Sequence, residues 1–182
     1  MPSASGISRR IEHCVRSLAV RDNEAALVNL FPAMDKTAKK RRPKDDVGKR
    51  IRGFIGDEEG IISAIATGNI FRNINIDGID FPQAIYKFGR TAILHEGELD
   101  PRLQFNDSGS LQIGKVWNLP SPYITAMCVS VVVAPENAGE QLSNPPRLSV
   151  FDRSYNLNEL WGQRSKIREL VCEVFKNENA LD

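Results

Sequence analysis

Arg90 and His95 stand five residues apart in the segment F-P-Q-A-I-Y-K-F-G-R-T-A-I-L-H-E-G-E-L, Phe81 to Leu99. A guanidinium can hold a phosphate through fixed in-plane donors, and an imidazole can move a proton near neutral pH. Held together, the two groups are the smallest set able to cleave an RNA phosphodiester without a metal, one meeting the charge on the phosphoryl oxygens and the other serving the oxygen that enters or leaves. The question is what element carries them.

Asp80 can cap a helix beginning at Phe81, with Gln83 as the returning half of a capping box and Pro82 suited to the first turn. Gly97 can take the left-handed conformation that ends a helix, so His95 and Glu96 fall in the last turn. At about 100° per residue, Phe81, Ile85, Phe88, Ala92 and His95 form one stripe, while Tyr86, Ile93 and Leu94 flank Arg90. The helix is apolar almost all round, which suits either the centre of a bundle or a helix shared between its own core and a second subunit. Arg90 and His95 are about 140° apart on one straight helix, so convergence requires two copies about a two-fold axis.

The segment Y-K-F-G-R-T-A-I-L-H-E-G-E-L resembles the signature helix of the HEPN superfamily, whose motif is Arg, four to six residues, then His. The resemblance is close over about fifteen residues and loose over half of the chain. It implies an α-helical bundle that dimerises through the motif helix, and a metal-independent endoribonuclease of the toxin or phage-defence type. It further implies that Arg90 binds the scissile phosphate and His95 acts as acid or base, with Thr91, Glu96 and Glu98 in supporting places. The residue after the motif Arg is often Asn, Asp or His in active members, and here it is Thr91. Members paired with a nucleotidyltransferase antitoxin carry a Tyr where this chain has Gly97, so modification there is not expected. The competing readings are a non-catalytic module binding RNA, a nucleotide or a regulatory partner, and a structural interaction protein whose motif pair stabilises the dimer; the plainest roles of the two residues are His95 bonded to a carboxylate such as Glu98 and Arg90 in an interface ion pair.

The rest of the chain must position this helix. With 182 residues, 41% hydrophobic and 26% charged, the sequence can bury one sizeable core, and a single domain is expected over 1–182. A helical part is expected over about 7–97, a small β element over about 102–117 and C-terminal helices over about 122–178. The class is mainly α.

Ile7, Ile11, Val15 and Leu18, then Ala26, Leu27, Leu30, Phe31 and Met34, repeat at helical spacing, with Pro32 expected to kink the second helix or mark a boundary. Asp45 to Ile55 reads as a third helix ending near Gly56, and Asp57 to Ala66 as a short fourth stopped by Gly68. Asn73 to Asp80 alternates around Asp77-Gly78 as an extended segment and turn. Leu103 to Asn106 and Leu111 to Trp117 read as a hairpin joined by Asp107 to Ser110. Pro122 to Ala134 is a helix or a buried strand, with helix favoured. Arg147 to Asp152 is a short strand, and Leu157 to Phe175 a closing amphipathic helix.

Nine basic residues lie between Lys36 and Arg52, and Lys39, Lys40, Arg41, Arg42 and Lys44 among them are candidates to guide an RNA backbone. The formal net charge of +1 supplies no whole-molecule field for a polyanion, so any contact is local. Trp117, Trp161 and Tyr123 read as packing anchors, and His13 as a surface or half-buried histidine. Cys14, Cys128 and Cys172, far apart and odd in number, fit neither a disulfide framework nor a zinc site, and no cofactor or metal is expected. No apolar signal core opens the N-terminus and the longest apolar-rich run is too short to span a bilayer, so a cytoplasmic protein is expected. The expected partners are a second copy of the chain, RNA, and an antitoxin or defence-system protein.

Overall fold

The computed structural model describes residues 5–182, so only the first four residues of the N-terminal stretch considered above lie outside it. The chain is 56% helical and 12% strand, which makes it mainly α with small sheets. Helices α1 (Gly6–Ala19), α2 (Asn23–Arg41) and α3 (Val47–Thr67) come first. Ser5 and Asp22 cap the first two, and Asp46 caps α3 by accepting from the Lys49 amide at 2.8 Å.

Two of the expected boundaries are absent. Pro32 lies inside an unbroken α2, where the carbonyl deprived of a partner belongs to Val28, a residue 41% exposed and so on a face open to water. Gly56 does not end a third helix either: α3 is a single 21-residue helix that stops at Gly68 in the left-handed conformation. The glycines within it admit neighbours. A Cβ on Gly53 would lie 2.8 Å from Arg42 Nε, and one on Gly60 3.0 Å from Arg72 Nε. Lost helix propensity is here exchanged for close approach.

β1 (Asn75–Ile76) and β2 (Ile79–Asp80) form the expected turn, with positive φ at both Asp77 and Gly78. The motif helix then runs from Phe81 to Glu96 as α4 (Phe81–Ala84), a π-helical stretch (Ile85–Thr91) and α5 (Ala92–Glu96). Next come β3 (Leu103–Asn106), β4 (Gln112–Ile113) and β5 (Trp117–Pro120). The hairpin expected between Leu103 to Asn106 and Leu111 to Trp117 is corrected: β3 pairs parallel to β5, and the antiparallel partner of β5 is β4. The turn lies at Gly114 to Val116, where the Gly114 amide donates to the Val116 carbonyl.

α6 (Pro122–Val133) is the helix at the centre, packed against α1, α2, α3 and the closing helix. Its β-branched run is helical because it is buried almost all round, and neighbouring helices supply what propensity does not. Arg147 begins a hairpin of β6 (Arg147–Val150) and β7 (Arg153–Asn156). The closing helix, expected from Leu157, begins later, as α7 (Arg164–Phe175). Gly162 is responsible: it adopts φ 71°, and its amide donates to the Val132 carbonyl at the end of α6. Trp117, Trp161 and Tyr123 are buried anchors as expected. No helix among the described residues is long and apolar enough to cross a membrane.

Candidate active site

The first two-thirds of the motif helix anchor it. Asp80 accepts from the Gln83 amide at 2.7 Å, and Phe81, Ala84, Ile85, Phe88 and Gly89 are buried. Gly89 is where the helix presses hardest on its neighbours, since a Cβ there would lie 3.0 Å from Phe31 Cζ and 3.2 Å from Leu103 Cδ2. The last third projects. Leu94, His95, Glu96, Gly97 and Glu98 are exposed, and Gly97, at φ 81°, ends the helix as its sequence suggested. The motif helix is therefore not the centre of the bundle.

Arg90 sits within the π-helical stretch, which no spacing rule revealed. Such stretches are short and concentrate at functional positions. Its guanidinium lies 5.7 Å from the centre of the Tyr86 ring, and the Arg52 guanidinium, reaching over from α3, lies 5.4 Å from the same ring. Among the described residues neither arginine forms an ion pair, although Arg50 is held by Asp35 at 2.7 Å and Arg102 by Asp100 at 2.6 Å. Tyr86, Arg52 and Arg90 are all half-buried. Arg52 had been only one of nine basic residues in the sequence, and Tyr86 only a flanking position.

The His95 side chain forms no hydrogen bond or ion pair among the described residues, with Glu96 or Glu98 or any other group. Thr91 is half-buried. About 7.5 Å along the axis and about 140° around it separate His95 from Arg90 in one chain, so a single copy does not bring them together. A cavity of about 340 Å³ lies among α1, the sheet and α6, lined by Leu18, Asn23, Asn106 and Ser121, and neither motif residue lines it.

The basic cluster has another use. Arg41 Nη1 lies 2.9 Å from Glu58 Oε1 and its Nε 2.8 Å from Glu136 Oε1, while Arg42 Nη2 donates to Asp57 at 2.8 Å. Lys40 bonds the Glu136 carbonyl and the Asn137 side chain, each at 3.1 Å. Three of the five candidate RNA guides thus have partners in the fold, of which Arg41 and Arg42 are half-buried, while Lys39, Lys40 and Lys44 are exposed. Glu58, which Arg164 also holds at 3.0 Å, is a structural residue the sequence reading missed. The signal was the D-E-E-G run between apolar positions of one helix. Burial pushes the Asp57 and Glu136 carboxyls up, but hydrogen bonds from Arg42 and Arg41 to Asp57, and from Arg41 to Glu136, more than reverse this and hold both below their ordinary range.

Cys14 on α1 and Cys128 on α6, distant in sequence, are both buried and neighbour each other. The neighbouring Cys128 thiol and burial raise the Cys14 thiol well above its ordinary value. Among the described residues no group of three or more His, Cys, Asp and Glu side chains could hold a metal ion.

The chain is similar to uncharacterized protein Rv1289 of Mycobacterium tuberculosis and uncharacterized protein Mb1320 of Mycobacterium bovis. It is 26% identical to each over 171 residues, covering 81% of this chain and 79% of each relative. No solved structure matches it. The match to the Rv1289 family extends over residues 6–182, which takes in the bundle, the motif helix and the closing helix alike, and the chain belongs to that family.

Proposed function

We propose that this chain is a HEPN-like, metal-independent endoribonuclease acting as a homodimer in a toxin or phage-defence role in the cytoplasm. The observation that carries this reading is the condition of its two motif side chains. Arg90 has no carboxylate partner among the described residues, and His95 stands exposed on a projecting helix end with no side-chain hydrogen bond among them. Neither side chain is held in an ion pair or side-chain hydrogen bond among the described residues, so the donors of both are free to meet a phosphodiester. Leu94, 57% exposed beside His95, adds apolar surface that a second copy could cover.

In the composite site, Arg90 of one chain and His95 of the other face one phosphodiester. The ribose 2′-hydroxyl attacks the adjacent phosphorus in line and gives its proton to a base. The bond to the 5′-oxygen breaks, and that oxygen takes a proton from an imidazolium. The guanidinium meets the charge on the nonbridging oxygens, and the product ends in a 2′,3′-cyclic phosphate. An antitoxin or defence-system protein is the expected regulator.

The test is cleavage of single-stranded RNA by the purified protein in excess EDTA. Cyclic phosphate ends are expected, with a rate at least about 100-fold lower for Arg90→Ala and for His95→Ala while the dimer mass is retained. Cleavage unchanged in either variant rejects the site. One observation favours a second reading, a non-catalytic RNA-binding module: Arg52, Tyr86 and Arg90 meet within one chain, whereas Arg90 and His95 do not. Wild-type protein that binds RNA and leaves it intact would establish that reading instead.

A further inference from the structure

We infer that Arg52 and Arg90, braced on the ring of Tyr86, form a subsite for single-stranded RNA in which the two guanidiniums hold neighbouring phosphates. The subsite rests on the ribonuclease reading for its catalytic meaning, while its binding can be measured separately.

Three features support it. The first is the supply of unpaired charge. Arg41, Arg42, Arg50 and Arg102 are all matched to carboxylates, whereas Arg52 and Arg90 have none among the described residues and share one aromatic ring. The second is orientation: a guanidinium resting on a ring is restrained in position while its edge stays free for in-plane donation, which suits the paired oxygens of a phosphate. Restraint before binding lowers the entropy lost on binding. The third is the space made for the group. Gly48, one turn before Arg52 on α3, has no side chain, and a Cβ there would lie 3.2 Å from both Cζ and Oη of Tyr86 and 3.1 Å from Arg52 Nη1. α3 and the motif helix are thus fitted together at this point, and the tyrosine ring is laid against a helix surface and kept half-exposed.

The ligand follows from the chemistry. Two guanidiniums gathered on one ring suit neighbouring phosphates of a flexible single strand, whose backbone can fold to bring both within reach, better than the fixed phosphates of a duplex. Arg90 belongs at once to the motif and to this subsite, which places the bound strand next to the composite cleavage site.

The experiment is fluorescence anisotropy with a labelled oligouridylate at several KCl concentrations, in a His95→Ala background so that the strand stays whole. The full-length dimer is used, with its mass and circular dichroism checked for each variant. Arg52→Ala is expected to weaken binding and to lower the slope of log K against log salt by about 0.7, the loss of one phosphate contact on a single strand. Arg52→Lys is expected to restore most of that slope. Tyr86→Leu, which removes the ring that braces both guanidiniums, should weaken binding at least about 5-fold, while Tyr86→Phe keeps it. The inference is overturned by an unchanged slope in Arg52→Ala, by wild-type affinity in Tyr86→Leu, or by the absence of RNA binding altogether. Should Tyr86→Leu fail to fold, the Arg52 pair decides alone. Binding that follows this pattern in a wild-type protein unable to cleave would leave the subsite standing and remove the nuclease reading. Cleavage that needs Arg90 and His95 but ignores Arg52 and Tyr86 would do the reverse.

Discussion

Glu58, its side chain fully sealed from solvent, is clamped between Arg41 at 2.9 Å and Arg164 at 3.0 Å, so that α2, α3 and α7 meet on one carboxylate. A buried charge is tolerated when its partners are in place and is costly when they are removed. Glu58→Ala would leave two guanidiniums facing each other, and Arg41→Ala would leave the carboxylate with Arg164 alone. Each is expected to lower unfolding free energy by about 3–5 kcal/mol, measured by urea denaturation. A loss under about 1 kcal/mol for both would show the cluster to be a solvated surface network.

The same cluster sets an acid limit. Asp57 and Glu136 are held below their ordinary range, so their contribution is complete above the unfolded pKa and is lost as pH falls through the folded value. The melting temperature is expected to fall on acidification below about pH 4, and Glu136→Gln should shrink that fall. An identical acid limb in the variant would remove Glu136 from the account.

Glu59 behaves in the opposite sense. Burial raises its carboxyl against the opposing pull of the Asn73 amide, which donates to Oε2 at 3.0 Å, and Oε1 has no donor among the described residues. Because the folded chain takes up this proton more readily than the unfolded one, ionised Glu59 costs stability at neutral pH, and that cost is complete above the folded value and gone below the unfolded one. Glu59→Gln, which keeps an oxygen for the Asn73 amide, should gain on wild type in urea midpoints over the window from about pH 4, near the ordinary carboxylate value, up to neutral pH. A constant difference across that window would contradict the assignment.

Gly89→Ala places a methyl group 3.0 Å from Phe31 Cζ and 3.2 Å from Leu103 Cδ2, with a buried aromatic ring on one side and the first residue of β3 on the other. Overpacking of this kind costs about 1–3 kcal/mol. Thermal unfolding will show the loss, and a variant as stable as wild type would mean that the ring yields freely.

Alkylation should divide the cysteines. Cys172 is partly exposed on α7, whereas Cys14 and Cys128 are buried against each other. Mass spectrometry after brief iodoacetamide treatment should find one modified site, Cys172, with the other two reacting only on denaturation. Early labelling of Cys14 would contradict the packing of α1 on α6.

Local signals in the sequence carried the helices and the ends of the motif helix. Asp80, the Asp77-Gly78 turn and Gly97 each act through their own backbone, so their residue types reveal them. What escaped depends on distant partners. Gly56 looks like a stop signal and lies inside α3 because the surrounding helices support it, while β3 pairs with β5 rather than with its nearer neighbour. Tyr86 gains its importance from Arg52, 34 positions earlier in the chain and reachable only once α3 and the motif helix pack. Arg41 and Arg42 read as available charge until the carboxylates of α3 and Glu136 are brought to them.

The parallel pairing of β3 with β5 fastens the exit of one helix to the entrance of another. The Asp100 amide returns to the Phe88 carbonyl, the Trp117 amide donates to Arg102, and the Ser121 amide at the start of α6 donates to Asn106. A force applied where the motif helix emerges would therefore be borne by the most deeply enclosed helix of the protein instead of being lost in a slack connection. Side chains near that exit inherit the stiffness of the interior while standing in solvent.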